Sequence, residues 1–303
     1  MRLAPVLAGA AIAALLASCR PAAAPTDPAR LSQIEERLER LELALTQAVT
    51  GADAKPATPE ARLIRVEHRL DRLLAFLKQA VRPELDTSVT YAIPIDPSDP
   101  VLGPRDAKVT IVEAYEFLCP YCAMIAPTLE QLRARYPKDV RVVSKYFVIH
   151  GAPAEPAGRA ACAAAKQGPA KYAALEKALW AAIWPEAGKP PAKERATEAE
   201  IEKLAKAAGL DVARFRADAG GADCRGWLTR SGDVLQRFGA GGTPSFYING
   251  RSVSAGGLED LAAVVDAEID RVDASGTPAA RYYEDVVLRT GAAEARMISP
   301  FDD

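Results

Sequence analysis

Two cysteines, Cys119 and Cys122, stand one helical turn apart in the segment EFLCPYCAMIAP (116–127). Tetrahedral zinc needs two further cysteine or histidine ligands. The only histidines are His68 and His150, and the other cysteines are single and far apart in sequence. A purely structural disulfide across so short a loop would constrain the unfolded chain little. We therefore interpret the pair as a redox-active dithiol, and expect neither a metal nor another cofactor.

The elements on either side of this pair indicate which sulfur reacts. AKVTIVEAYEF (107–117) has the β-branched, apolar composition of a buried strand, and a helix is expected to begin at the cysteines. The dipole and free amides of a helix N-terminus lower a cysteine pKa from about 8.5 into the range of roughly 3.5 to 7.5. Cys119 is thus expected to be the exposed, attacking sulfur, and Cys122 the thiol that resolves the mixed disulfide.

The rest of the chain from residue 89 to residue 303 is expected to form one domain. VRVVSKYFVI (140–149) predicts another strand, and SFYINGRSV (245–253) predicts a hairpin with Asn249-Gly250 at its turn. Helical patterns fill the region of about residues 151–238 between them, and two more helices are predicted in the tail. This order predicts an α/β core that carries an all-helical insertion.

Several separate segments resemble the DsbA-like disulfide oxidoreductases of the thioredoxin superfamily, over about residues 90–290. The likeness is carried by VTIVEAYEFLCPYCAMIAP and GTPSFYING. Pro127 matches the proline inside the helix after the cysteines, and Thr243-Pro244 matches the cis-proline loop that faces the active site. The resemblance implies a thioredoxin fold with the helical insertion, and thiol-disulfide exchange on exported proteins that carry thiols or disulfides.

The resemblance also implies which residues contact the client protein. Pro120 and Tyr121 lie between the cysteines, and Thr243 and Pro244 lie in the facing loop. A cis X-Pro bond turns the chain sharply, so Pro244 would present the backbone of Thr243 to an extended peptide. These four residues are the predicted substrate-binding positions.

Glu113 and Lys145 match the buried acid and the lysine of DsbA-like sites. Glu113 lies six residues before Cys119 in an apolar strand, where a carboxylate is costly unless it manages protons or is paired. Lys145, on the neighbouring predicted strand, is its expected partner. The alternatives are an ordinary edge carboxylate for Glu113 and a lysine without a role in the site for Lys145.

The Pro120-Tyr121 pair departs from DsbA itself, which has a histidine between its cysteines. Without that positive group Cys119 is expected to be a less extreme oxidant, and the isomerase-like branch shares both Pro-Tyr and a threonine before the cis-proline. Oxidase, isomerase and dedicated reductase therefore stay open. A hypothesis from another class is a coiled-coil scaffold that binds clients through an inactive thioredoxin-like domain. Retention of Cys119 and Cys122 together with Thr243-Pro244 argues against it.

The N-terminus is typical of an exported protein. Residues 1–18 have one basic residue followed by an apolar run that is short for a membrane span, as in a signal peptide. LASC (16–19) resembles the bacterial lipobox, which implies a lipid on Cys19 and attachment to the membrane. The alternative is an ordinary signal cut near Ala24, with Cys19 discarded. The expected location is the bacterial cell envelope facing the periplasm. In a Gram-negative cell, resemblance to the lipoprotein sorting rule implies the outer membrane, because the residue after Cys19 is Arg20 and not Asp.

Export would place the remaining cysteines where disulfides persist. The chain has five cysteines. With Cys19 and the two of the CPYC segment set aside, Cys162 and Cys224 remain. Both fall in the predicted helical insertion. They predict a structural disulfide, with a pair of buried free thiols as the alternative.

Residues 19–30 are rich in Pro and Ala and are expected to form a tether, and residues 31–82 carry two heptad patterns separated by GADAKPATP. The apolar positions are Leu31, Ile34, Leu38, Leu41, Leu45 and Ala48, then Leu63, Val66, Leu70, Leu73, Leu77 and Ala80. These coiled-coil-like helices predict a homo-oligomer, with a helical hairpin within one chain as the alternative.

The charge pattern limits the classes of molecule that we expect this protein to bind. The formal net charge is −2, and Lys and Arg do not cluster, so nucleic acid is not expected to bind. The expected partners are exported client proteins, a redox partner in the membrane, the membrane itself through Cys19, and further copies of this chain.

Overall fold

The computed structural model describes residues 40, 70–72, 84–186, 196–254 and 256–298. The chain divides into two compact units, Met1–Val81 and Arg82–Asp303. In the first unit, residues 40 and 70–72 are helical and exposed, and Leu70, a predicted heptad position, exposes 52% of its surface. The signal peptide, Cys19, the tether, His68 and the rest of the predicted heptad helices lie outside the described residues.

The second unit is built on a sheet whose strands are short and mostly buried. The strands are β1 (Glu84–Leu85), β2 (Val101–Leu102), β3 (Val109–Tyr115), β4 (Val140–Tyr146), β5 (Ser245–Ile248), β6 (Arg251–Val253) and β7 (Met297–Ile298). The central sheet has the order β2-β4-β3-β5-β6, with β3 and β4 parallel and the other neighbours antiparallel. β1 and β7 form a separate antiparallel pair. All seven residues of β3 are buried, as expected of a central strand covered on both faces.

Helices connect and cover these strands. They are α1 (Pro120–Arg135), α2 (Glu155–Ala165), α3 (Pro169–Ile183), α4 (Glu198–Ala207), α5 (Val212–Gly220), α6 (Ala222–Arg237), α7 (Leu258–Ser275) and α8 (Ala279–Tyr282). A 3-10 turn, Ala152–Ala154, precedes α2, and a π turn, Tyr283–Leu288, continues α8. Helix α1 is the crossover between the parallel strands, and α2 to α6 form one helical block between β4 and β5. The predicted fold class, an α/β core with an all-helical insertion, is confirmed.

The predicted hairpin turn between β5 and β6 is also confirmed. Asn249 and Gly250 both have positive φ, 44° and 80°, as a two-residue hairpin turn of this type requires. A side chain at Gly250 would place its Cβ 2.5 Å from the carbonyl oxygen of Tyr91. The side chain of Asn249 ties the turn to β3, since its Oδ1 accepts a 2.9 Å hydrogen bond from the amide of Thr110.

The two faces of the sheet carry different side chains. Because side chains alternate along a strand, Ile111, Glu113 and Tyr115 of β3 share one face, and Val112 and Ala114 lie on the other. On the first face Ile111 packs in a cluster with Leu129 of α1. At the end of that face, Tyr115 packs against Phe117, Tyr146 and Trp180 in an aromatic cluster that joins the sheet to the insertion.

A disulfide lies inside the helical insertion. Cys162 in α2 and Cys224 in α6 are bonded at 2.02 Å, and both residues are fully buried. The bridge joins the first and last helices of the insertion, which are 62 residues apart in the chain. No helix among the described residues has the length and apolar content needed to cross a membrane.

Candidate active site

Cys119 is the N-cap residue of α1, at the point where β3 passes into the helix. Its extended backbone, with φ −81° and ψ 119°, allows Sγ to accept a hydrogen bond from the amide of Cys122 at 3.4 Å. Pro120 follows at the first helical position, where its lack of an N–H leaves no further donor unpaired. The predicted start of the helix at Cys119 is confirmed, and Pro127 lies inside that helix.

The two thiols have opposite tendencies to ionise. A hydrogen bond from the Cys122 side chain, aided by the amides of Tyr121 and Cys122, lowers the pKa of Cys119 to about 6 against the opposing effect of burial. Burial raises the pKa of Cys122 far above its usual range, and the neighbouring Cys119 and Glu113 add to that effect. At neutral pH, Cys119 is thus mostly thiolate and Cys122 is a thiol.

Cys119 is less accessible than the sequence predicted. Only 2% of its surface is exposed, so the expectation of an exposed sulfur is wrong. The Thr243-Pro244 loop causes this, because the carbonyl oxygen of Thr243 lies 3.2 Å from Sγ. The peptide bond between Thr243 and Pro244 is cis, as predicted. The hydroxyl of Thr243 is buried beside this sulfur, where it helps to lower the pKa of Cys119.

Three large apolar side chains are exposed on the helix that begins at Cys119 and on the loop joined to it through Glu116. Tyr121 and Met124 of α1 expose 54% and 51% of their surface, and Ile149, in the loop after β4, exposes 43%. Few large apolar side chains in the described residues are this open. A cluster of this kind around a reactive group is typical of a protein-binding surface.

Glu113 is buried on the sheet face that α1 covers, with 5% of its surface exposed. Burial raises its pKa to about 8, with further contributions from the charges of Glu176 and Cys119, while Arg133 acts in the opposite direction. A carboxyl group that titrates this close to neutral pH can accept and return a proton during turnover.

The expected pairing of Glu113 with Lys145 is wrong. In the parallel register Glu113 lies opposite Ser144, so Lys145 points to the other face of the sheet. There its ammonium lies 2.6 Å from Asp99, whose other carboxylate oxygen accepts a 2.8 Å hydrogen bond from the indole of Trp227. Lys145 therefore belongs to a buried ion pair that ties β4 to helix α6, and it does not contact the sulfurs.

The sequence reasoning missed Glu116, three residues before Cys119. Its carboxylate is buried and accepts hydrogen bonds from the amides of Ile149 and His150, at 2.8 and 3.0 Å. It also pairs with Nδ1 of His150, while its carbonyl accepts the amide of Cys119 at 3.1 Å. Glu116 thus joins the loop that carries Cys119 to the loop that carries Ile149. A charged residue inside the apolar run AYEFLC is the signal that could have revealed it.

No group of histidine, cysteine or carboxylate side chains in the described part of the chain could hold a metal ion. The arrangement is instead that of a dithiol: a low-pKa sulfur, a buried thiol one turn further along the helix, and a carboxyl group of raised pKa beneath them.

A family model described as Thioredoxin matches residues 96–267. The curated relatives include a Na(+)/H(+) antiporter, NhaA 3, of Salinispora tropica, 34% identical over 169 residues. That alignment covers 54% of this chain and 24% of the antiporter, so the chain spans about a quarter of that relative's length.

Solved structures show the same fold. The catalytic domain of Proteus mirabilis ScsC is 24% identical, with 59% of this chain and 93% of that chain covered and a TM-score of 0.50. Oxidised BdbD from Bacillus subtilis is 19% identical, with 60% and 98% covered and a TM-score of 0.52.

Proposed function

Because this chain belongs to the thioredoxin family, with the fold of its DsbA-like members, we propose that it is a thiol-disulfide oxidoreductase whose reacting pair is Cys119 and Cys122. One observation carries the proposal. Cys119 caps α1 with a pKa lowered to about 6, while Cys122 stays a buried thiol within hydrogen-bond reach. A low-pKa thiolate attacks disulfides at neutral pH, and an adjacent thiol releases the product.

The exchange cycle assigns a role to each group. In the reducing direction the Cys119 thiolate attacks a client sulfur, which forms a mixed disulfide and releases the other client sulfur as a thiolate. Cys122 then loses its proton and attacks Cys119, so that the Cys119–Cys122 bond forms and the bond to the client breaks. Glu113 is the proposed acceptor of that proton, since its charge acts on both sulfurs. In the oxidising direction the same bonds form and break in reverse.

The proposed client-binding surface is the apolar rim around the active site. Pro120 and Tyr121 lie on one side of Cys119, and Thr243 and Pro244 lie on the other. Thr243 borders the reacting sulfur, with its carbonyl oxygen 3.2 Å from Sγ of Cys119, while Tyr121 offers an exposed aromatic ring. Such a surface fits an extended segment of an incompletely folded protein, which presents both apolar side chains and free peptide groups.

The proposed location is the periplasmic side of the bacterial envelope, where a lipid on Cys19 would hold the protein on a membrane, the outer one if the cell is Gram-negative. A redox partner in the membrane would renew the Cys119–Cys122 pair. We further propose that residues 31–82 form a homo-oligomer. The exposure of Leu70 in the single chain supports this, because a heptad leucine on a stable helix is normally covered. Sedimentation as a monomer would contradict it.

An insulin-reduction assay on the full chain tests the central proposal. Wild-type protein should accelerate reduction, and Cys119→Ser should abolish the effect, while Cys122→Ser should trap mixed disulfides because no thiol can resolve them. An inactive wild-type protein would contradict the proposal, and would favour the scaffold that only binds clients. Ion transport is not proposed, because the alignment covers only 24% of the antiporter.

The direction of electron flow follows from the reduction potential. Equilibration of the Cys119–Cys122 pair with glutathione buffers should give a value between the limits of about −120 mV for a strong oxidase and about −270 mV for a reductase. Because no positive side chain stands between the cysteines, we expect a value below that of the strong oxidase. Refolding of a scrambled disulfide protein would then test isomerase activity.

A further inference from the structure

A cavity of about 550 Å³ lies between α1 and α3, and Glu113 of β3 lines it. Small side chains leave this space open, because five alanines line it: Ala123, Ala126, Ala173, Ala174 and Ala181. Glu113 lines its inner wall, and the exposed side chains of Glu130 and Lys177, paired at 3.1 Å, mark its solvent side. The lining is largely apolar, but the space has the volume of several water molecules, and Glu113, Glu130, Ser144 and Glu176 give such waters polar partners.

The cavity contains a second carboxyl group that the exchange cycle has not used. Glu176 of α3 is partly buried, and part of its surface faces the cavity. Within the described residues no hydrogen bond or ion pair reaches the Glu113 carboxyl, so its nearest electrostatic neighbours decide its behaviour. After burial, the charge of Glu176 is the largest influence that raises the pKa of Glu113.

Two tyrosines hold Glu176 on the Glu113 side of the sheet. The hydroxyl of Tyr172 donates a 2.8 Å hydrogen bond to Oε1 of Glu176. The hydroxyl of Tyr115 lies 3.3 Å from that of Tyr172. Tyr115 stands two residues after Glu113 on β3, and alternation puts both on the same face. A side chain of the helical insertion is thereby held at the cavity that Glu113 also lines.

We infer that Glu176 is a second proton carrier of this active site, which passes the proton between Glu113 and solvent through the cavity. The inference rests on the proposed thiol-disulfide exchange. Glu176 acts through Glu113 and does not touch the sulfurs, so the helical insertion supplies one step of the proton path and the thioredoxin core supplies the other.

The proton balance is the same in both directions of exchange. In reduction, the Cys122 thiol gives its proton to the Glu113 carboxylate, Cys122 bonds to Cys119, and the client leaves as a thiolate. Glu113 then gives the proton to Glu176, and Glu176 gives it to water. In oxidation, a client thiolate breaks the Cys119–Cys122 bond, and the Cys122 thiolate receives a proton along the reverse path. The client alone supplies or receives the electrons.

The two carboxyl groups are matched for such a transfer. Burial raises the pKa of Glu176 to about 7, while that of Glu113 is about 8, so neither group retains the proton strongly against the other. The charged and titratable groups that face the pair come from three elements. They are Cys119, Cys122, Glu130 and Arg133 of the α1 region, Tyr115 of β3, and Tyr172 and Lys177 of α3. Arg133 favours the ionised form of both carboxyl groups.

The test is the rate of client release in a single turnover, measured by stopped flow with a fluorogenic peptide disulfide across pH 6 to 9. Glu176→Gln keeps the size of the side chain and an acceptor for Tyr172. We expect release at pH 7 to fall about tenfold, less than the roughly 10²-fold lost with a proton carrier in direct contact. The midpoint of the Glu113-dependent pH profile should also move to lower pH, because a negative neighbour is gone.

Three controls separate a relay from a structural role. Glu202→Gln removes a carboxylate from the outer surface of the insertion, where Glu202 pairs with Arg216, and should leave rate and profile unchanged. Glu176→Asp keeps a carboxylate and should retain most of the rate. Added imidazole, a small proton carrier, should restore the rate of Glu176→Gln and should not affect the wild-type protein.

The double variant Glu113→Gln/Glu176→Gln should be no slower than Glu113→Gln, because groups in series are not additive. The relay would be contradicted if the rate losses of the two single variants multiply in the double variant, or if the pH profile of Glu176→Gln equals that of the wild type. Either result would leave the proposed oxidoreductase function standing. Failure of the proposed function itself is a different result, namely an inactive wild-type protein.

Discussion

The ammonium of Lys145 lies 2.6 Å from a carboxylate oxygen of Asp99, and neither side chain is more than 1% exposed. The pair lies on the face of the sheet opposite the cysteines. Asp99 also accepts the indole of Trp227, so one carboxylate holds the strand β4, the segment before β2 and the helix α6 together. This buried pair is structural, and its energetics can be measured separately from exchange.

Breaking the Lys145–Asp99 pair should destabilise the protein without changing the reactivity of Cys119 and Cys122. Lys145→Met leaves an unpaired buried carboxylate, and we expect it to lower the free energy of unfolding by about 3–5 kcal/mol. Asp99→Leu/Lys145→Met should recover most of that loss, since no buried charge remains. Urea denaturation checks both variants, and Arg216→Met, at an exposed pair, should have a much smaller effect. Equal losses in the single and double variants would contradict this account.

Cys119 should ionise near pH 6. Because a hydrogen bond from Cys122 and the helix amides lower its pKa, the thiolate absorbance near 240 nm of the reduced protein should rise with a midpoint at about pH 6. The rate of alkylation should follow the same curve. Cys119→Ser should remove this transition, and Cys122 should not replace it, because burial raises its pKa. A midpoint near that of free cysteine would contradict the site geometry.

Glu113 should make stability depend on pH in a defined direction. Its pKa is raised from 4.5 to about 8 in the folded state, so the folded state binds a proton more tightly than the unfolded one. Its contribution is fully present below pH 4.5 and is lost as pH rises through about 8. Glu113→Gln should therefore become more stable relative to wild type as pH rises from 5 to 9. Denaturant midpoints at each pH measure this, and a constant difference would contradict it.

The bridge between Cys162 and Cys224 should stabilise the fold. It closes a loop with a sequence separation of 62 residues, for which chain entropy gives roughly 4 kcal/mol. Cys162→Ser/Cys224→Ser should lose stability of that order in denaturant, while the pH midpoint of Cys119 ionisation stays unchanged. Alkylation of both cysteines in the non-reduced wild-type protein would show that no bridge forms.

Local patterns made much of the site predictable. Three features depend only on neighbours in sequence, and the structure has each of them where its pattern predicts. They are the β-branched run of β3, the cysteines at the start of a helix, and the Asn249-Gly250 turn. The partner of Lys145 could not be found in this way, because it depends on strand register. A shift of one residue between β3 and β4 exchanges the faces and decides whether Lys145 meets Glu113 or Asp99.

Long-range packing also hid two other features. Glu176 lines the same cavity as Glu113 only because the insertion folds back over α1. Nothing in the α3 sequence distinguishes it from a surface glutamate of an amphipathic helix. The burial of Cys119 depends on the loop at Thr243, which is 124 residues away in the chain. Both are relationships between segments, which one sequence does not reveal.

The bridge in the helical insertion has a consequence for how this protein matures. A newly made chain carries thiols at Cys162 and Cys224, and two electrons must leave before the bridge seen in the structure exists. The protein is therefore itself the product of an oxidation before it could take part in the proposed exchange. Protein made in a reducing cytosol would contain Cys119 and Cys122 but would lack the bridge between Cys162 and Cys224. Its activity and its thermal stability would therefore be acquired at different stages.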